Sequence, residues 1–102
     1  MSFTHVVTFT WTGDAAADPA VVDGIAESLR RFVRTAELPG LQSWSCGRDA
    51  GLAAGNAEFA CVGVFDDVDA YAVYRDHPEH RRIIDEQIKP FIAQRVAVQF
   101  SD

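Results

Sequence analysis

Imidazole is scarce in this chain: three histidines in 102 residues, beside two cysteines and one methionine. Long apolar runs are missing too. None approaches the ~20 residues of a membrane span, and no basic segment precedes an apolar one as in a secretory leader, so a cytoplasmic protein without membrane contact is expected. Two cysteines in such a compartment, Cys46 and Cys61, are expected as free thiols. Basic residues are outnumbered, nine against fifteen acidic ones, for a net charge of −6. Phosphate backbones are gripped by clustered Lys and Arg, which argues against a nucleic-acid partner. The one dense basic group, Arg30, Arg31 and Arg34, falls near the end of a predicted helix, where cations complement the macrodipole.

What is present is an ordinary soluble composition, 48% hydrophobic and 24% charged, in a length that makes one domain over residues 1–102. Phe3 to Trp11 alternates, with Phe3, His5, Val7, Phe9 and Trp11 on one side, and reads as a strand. Asp18-Pro19 starts a helix carrying Val21, Val22, Ile25, Leu29, Phe32 and Val33, and Pro39-Gly40 ends that segment. Leu41 to Arg48 and Glu58 to Phe65 read as strands separated by the loop Asp49–Asn56, which lacks any phosphate-binding spacing. Asp66 and Asp67 are caps for a helix through Tyr71 and Tyr74. Pro78 disfavours a helical conformation for His77, so that helix stops there and a new one, carrying Ile83, Ile84 and Ile88, begins. Pro90 ends or kinks it, and Arg95 to Phe100 forms the last strand.

The order β-α-β-β-α-α-β predicts an α+β, ferredoxin-like protomer: a four-stranded antiparallel sheet with helices on one face. The other face then shows Val6, Val62 and Val64 between Thr4 and Thr8. An apolar patch of this kind marks an interface, and a second copy packed sheet to sheet covers it most simply, giving a homodimer.

The segment Tyr74-Arg75-Asp76-His77-Pro78-Glu79-His80 holds two of the three histidines. Near a helix start, His80 meets exposed N–H groups that disfavour added positive charge, which keeps its imidazole neutral, as a general base must be. Tyr74 could orient it or donate to a developing enolate oxygen. The plainer alternative is that His77 and His80 fasten the break between two helices. His5, among Phe3, Val7 and Phe9, stands between a core histidine and a pocket residue. Val7, Phe9, Trp44, Cys61, His77 and Ile84 are the further candidate walls of a cavity. A metal held by His5, His77 and His80 is disfavoured, because Pro78 interrupts the spacing and no carboxylate accompanies it. No cofactor is expected. Cys46 and Cys61 flank the 49–56 loop at similar distances, as cross-strand neighbours do; they read as small core residues, and neither thiol has an activating partner in sequence reach.

Several of these features recur together in one family. The early His5, Pro39-Gly40 before the second strand, Gly47-Arg48 closing it, Phe65-Asp66 entering a helix, Tyr74 before His77-Pro78-Glu79-His80, and the valine-rich final strand resemble the stress-responsive dimeric A/B barrel domain over essentially the whole chain. The resemblance implies a ferredoxin-like protomer whose two sheets form a barrel across a homodimer. That family is functionally mixed: many members lack an assigned activity, some plant members are linked to stress tolerance, and one plant branch cyclises polyketides with a tyrosine and a histidine. The pair matches Tyr74 and His80, with His5 lining the same cavity; where that branch has an aromatic residue on its first helix, this chain carries Ser28 or Arg31. The expectation is a small-molecule binder, taking an apolar or amphipathic metabolite between sheet and helices. The alternative is a cofactor-free acid–base enzyme, a cyclase or isomerase, using Tyr74 and His80 with His5.

Overall fold

Phe3–Trp11 forms β1, with the alternation read from the sequence: His5, Val7, Phe9 and Trp11 are buried, and the residues between them are partly covered. The computed structural model describes Met1 to Asp102, with side chains for all but Ala16 and Ala17. After β1 come α1 (Gly13–Ala17), α2 (Pro19–Thr35), β2 (Leu41–Arg48), β3 (Phe59–Phe65), α3 (Val68–Asp76), α4 (Pro78–Ile83), a π turn at Ile84–Ile88, a 3-10 turn at Lys89–Phe91, and β4 (Ile92–Ser101). The sheet is antiparallel in the order β2-β3-β1-β4. This is the ferredoxin-like arrangement the element order predicts.

The helix starts follow local chemistry. Asp18 caps α2 by accepting from the Ala20 N–H at 3.0 Å, with Pro19 in the first turn, and Asp67 caps α3 by accepting from the Ala70 N–H at 2.9 Å. In α2, Val22, Ile25, Ala26, Leu29 and Phe32 recur at helical spacing and pack on the sheet's inner face, against Val7, Phe9, Phe59 and Phe65. Burial of each large side chain there contributes about 1.5–3 kcal/mol.

Three local features depart from the sequence reading. Gly13–Ala17 is helical, with Ala15 fully buried, although nothing periodic marks the segment. β4 begins at Ile92 rather than Arg95, because Ile92 pairs with Trp11 across a bulge and the Phe91 carbonyl accepts from the Thr12 N–H at 2.7 Å. The helix after Pro78 does not run on as an α-helix. The Lys89 N–H reaches the Ile84 carbonyl, a five-residue span that widens the last turn before Pro90.

The outer face of the sheet is apolar, and more so than the first and third strands indicate. Val6, Val62 and Val64 are half-buried by their neighbours, whereas Val96, Val98 and Phe100 of β4 are 56%, 55% and 46% exposed. Register places Val98 beside Val6, Val96 beside Thr8 and Phe100 beside Thr4, so the six form one continuous patch.

Candidate functional site

A cavity of about 480 Å³ lies between the inner face of the sheet and the segment from α3 to the 3-10 turn. Its floor is the β1 stripe His5, Val7 and Phe9 with Cys61 of β3; Leu29 of α2 closes one side and Tyr71 and Tyr74 another. Ile84 and Ile88, both in the π turn, supply the apolar wall that faces the sheet. His80 completes the polar end.

The Pro78 break is what turns His80 inward. His77 sits at φ −58°, ψ 133°, the extended conformation a following proline imposes, and its Nδ1 accepts from the Glu79 N–H at 3.1 Å. The chain therefore changes direction between α3 and α4, and His80 packs its ring against Tyr74, with centroids 4.4 Å apart, and against Phe32 at 5.7 Å. His80 Nδ1 lies 2.9 Å from the Arg75 carbonyl oxygen. A carbonyl only accepts, so Nδ1 carries the proton and Nε2 of the neutral ring keeps its lone pair. Burial holds the His80 pKa below its ordinary value, aided by nearby Arg81 and His77 and opposed by the Arg75 carbonyl and Asp76. The direction is the one the helix start led us to expect, but the leading cause is burial; α4 is only six residues long.

His5 is arranged in the opposite sense. The Gln99 amide nitrogen donates to its Nδ1 at 2.7 Å, which places the proton of the neutral ring on Nε2. Burial first, then Arg95 and His80, push the His5 pKa down to about 4. Two neutral imidazoles thus share one cavity, one with a lone pair at Nε2 and one with an N–H there. His5 packs on Tyr71 at 4.9 Å and sits 6.4 Å from the Tyr74 ring.

Tyr74 accepts a hydrogen bond from Trp44 Nε1 at 3.2 Å, and among the described residues its own hydroxyl proton meets no protein acceptor. Burial raises its pKa, so the phenol stays protonated. Trp44 therefore stands behind the cavity and positions Tyr74; it is not part of the wall. His77 is off the wall too, with its ring on Phe32 at 5.0 Å and its Nδ1 used as a cap. Ser28 is half-buried and Arg31 exposed, and neither borders the cavity. Of the sequence candidates, His5, Tyr74, His80, Val7, Phe9, Cys61 and Ile84 converge on it.

Cys46 and Cys61 face each other in register as free thiols. The buried Cys61 donates to Cys46, which raises its own pKa and lowers that of Cys46. No group of three or more His, Cys, Asp or Glu among the described residues is placed to hold a metal. His77, turned away on Phe32, does not join His5 and His80.

Sequence reasoning missed Tyr71, Ile88, Gln99 and the basic side chains Arg75, Arg81, Lys89 and Arg95 at the cavity's edge. Tyr71 was legible in principle, three residues before Tyr74 on the same helix face. Arg95 and Gln99 were not, since their place depends on the pairing of β4 with β1, where Arg95 meets Phe9 and Gln99 meets His5.

The fold has close counterparts. A dimeric ferredoxin-like protein of unknown function from Thermobifida fusca is 36% identical, with all of this chain and 92% of that one aligned at a TM-score of 0.87. A Dabb family protein with a ferredoxin-like fold from Mesorhizobium loti is 18% identical, covering 99% and 96% of the two chains at 0.79. A hydroxynitrile lyase from Passiflora edulis shares the fold at 17% identity, covering 97% and 91%, also at 0.79. No curated protein matches in sequence. The model of the stress responsive A/B barrel domain matches residues 3–102, and with an inner cavity, a Pro78 break and a valine-faced sheet in place, the chain belongs to that family.

Proposed function

We propose that this protein is a homodimer, paired through its open sheet face, that binds a small, mainly apolar molecule in the cavity between sheet and helices. The observation that carries the binding reading is the cavity itself: about 480 Å³, within the roughly 300–1,000 Å³ usual for small-molecule sites, with an aliphatic and aromatic wall and three convergent polar side chains, His5, Tyr74 and His80. Each of the three makes one protein hydrogen bond and, among the described residues, keeps a further polar group without one: Nε2 of His5, the hydroxyl proton of Tyr74 and Nε2 of His80. The homodimer rests on the apolar patch from Val6 to Phe100 and on the dimeric assembly of the Thermobifida fusca protein. Binding is tested with the neutral fluorophore N-phenyl-1-naphthylamine. The wild-type protein binds it saturably, and Ile84→Trp, which fills the cavity from its half-buried wall, weakens binding at least about tenfold, a loss of roughly 1.4 kcal/mol. Equal binding by a folded Ile84→Trp protein would show that the probe sits elsewhere and end this reading.

One observation favours turnover as a second reading. His80 has its tautomer set by the Arg75 carbonyl, its ring kept neutral by burial, and Nε2 without a protein partner among the described residues, beside the protonated Tyr74 phenol. A ketone bound with its oxygen at Tyr74 would place an α-proton near His80. The expected signature is exchange of α-protons of 2-decanone for deuterium in D2O, followed by NMR. The base works as the neutral ring, so the rate is flat above pH 6.5 and falls as pH drops through the lowered His80 pKa. His80→Gln loses on the order of 10²-fold in exchange rate. No acceleration over solvent by the wild-type protein would leave binding without acid–base chemistry.

A further inference from the structure

The rim of the cavity carries a charge pattern that runs against the rest of the chain. Fifteen Asp and Glu residues give the protein its net charge of −6, yet none of them borders the cavity. Four of its nine Lys and Arg residues do: Arg75, Arg81, Lys89 and Arg95. Two of these are already engaged, Arg75 with Asp76 through paired 2.9 Å contacts and Lys89 with Asp85 at 3.1 Å. Arg81 and Arg95 have no acidic partner among the described residues. Both are exposed and border the cavity, Arg81 from α4 and Arg95 from β4. Two exposed guanidinium groups that border an apolar cavity and make no ion pair of their own add nothing to the affinity of a neutral ligand. For an amphiphile with an anionic end they supply forked donors that match a carboxylate.

We infer that the ligand is an amphiphilic carboxylate, its apolar body in the cavity and its anionic end between Arg81 and Arg95. The inference rests on the binding reading above and adds the class of ligand. Polarity inside the cavity agrees with it: His5 and His80 are both kept neutral, so positive charge is confined to the rim and the interior suits an uncharged chain. The site also survives dimerisation. Arg95 pairs with Phe9 in register and so lies on the helix-facing side of β4, away from the valine-lined face that a second copy would cover.

The test compares decanoate with 1-decanol as competitors of N-phenyl-1-naphthylamine at pH 7.5 in 50 mM salt. Decanoate is expected to compete about tenfold better than 1-decanol, and that preference should shrink in 500 mM salt as the rim charges are screened. Arg81→Gln with Arg95→Gln should bring the two competitors within about twofold of each other. Arg31→Gln with Arg34→Gln, which removes the same charge from an exposed stretch of α2 outside the cavity, should leave the preference as it was. Thermal melts establish that each variant is folded, and Arg95→Glu alone, should the double variant melt early, must abolish or invert the preference. If decanoate and 1-decanol compete equally against the wild-type protein, or if the Arg31/Arg34 pair matters as much as the rim pair, the anionic ligand is wrong while the cavity reading stands. If neither competitor nor the fluorophore binds, both fall together.

Discussion

His80 and His5 show how two identical side chains are given different chemical faces by one hydrogen bond each. A carbonyl opposite Nδ1 in His80 and an amide N–H opposite Nδ1 in His5 fix opposite tautomers. Both pKa values lie below the ordinary 6.5, so between that value and the folded pKa the unfolded chain binds more protons than the native one. Stability contributed by the neutral rings is therefore complete above pH 6.5 and is lost as pH falls towards about 4 for His5. For His5 the full contribution is at most about 3 kcal/mol. Urea titrations at pH 7.5 and pH 4.5 should show His5→Gln losing less stability between the two than the wild-type protein loses. An equal loss in both would mean that His5 is as easily protonated folded as unfolded. Which nitrogen each ring exposes was not legible in the sequence: Arg75 is five residues from His80, but Gln99 is ninety-four from His5.

At the scale of elements, the proline at 78 and the glycine at 63 shape the site more than any periodicity does. Pro78 was legible because its restriction on His77 is local, and α3 ends at Asp76 as that restriction requires. Gly63 is a tertiary requirement. It pairs with His5 on one side and Trp44 on the other, and a Cβ there would sit 2.8 Å from the Phe65 ring and 3.2 Å from the Trp44 indole. Trp44 in turn holds the Tyr74 hydroxyl. Gly63→Val should cost about 1–3 kcal/mol by overpacking, measured by urea unfolding. The same change should weaken binding of N-phenyl-1-naphthylamine by displacing Tyr74. An unchanged urea midpoint would show that β3 yields to the added side chain. The π turn at Ile84–Ile88 lies between these cases. Its isoleucines were read correctly as apolar facing, whereas the widened turn that sets them against the sheet depends on the exit through Pro90 into β4.

The whole molecule is a two-sided sheet with one side covered by its own helices. Alternation alone assigned His5, Val7 and Phe9 to one face and Val6 to the other, because a strand's period of two is written directly into the chain. Register decided the rest. Val98 aligns with Val6, and Val6 aligns with Val62, which makes a row across three strands that no single strand reveals. Under the proposed dimer this row is the centre of the contact. Light scattering at micromolar concentration should give twice the protomer mass for the wild-type protein, and Val98→Arg, which puts a charge at 55% exposure in the patch, should give the protomer mass with little loss of helix and strand signal. A wild-type monomer would remove the dimer from the proposal, and a dimeric Val98→Arg protein would move the interface elsewhere.

What the sequence determined by itself is whatever depends on near neighbours. Strand alternation, the Asp18 and Asp67 caps and the break at Pro78 all rest on steric and hydrogen-bonding rules that act within a few residues. The family resemblance implied one cavity for His5, Tyr74 and His80 and left open whether they were core residues; it is the tertiary structure that lines one cavity with all three. The tertiary structure alone decided the tautomers, the start of β4 at Ile92, the retreat of His77 and Trp44 from the cavity wall, and the gathering of Arg81 and Arg95 at its rim. Each of these depends on contacts between residues far apart in the chain, where pairing register and packing select the neighbours.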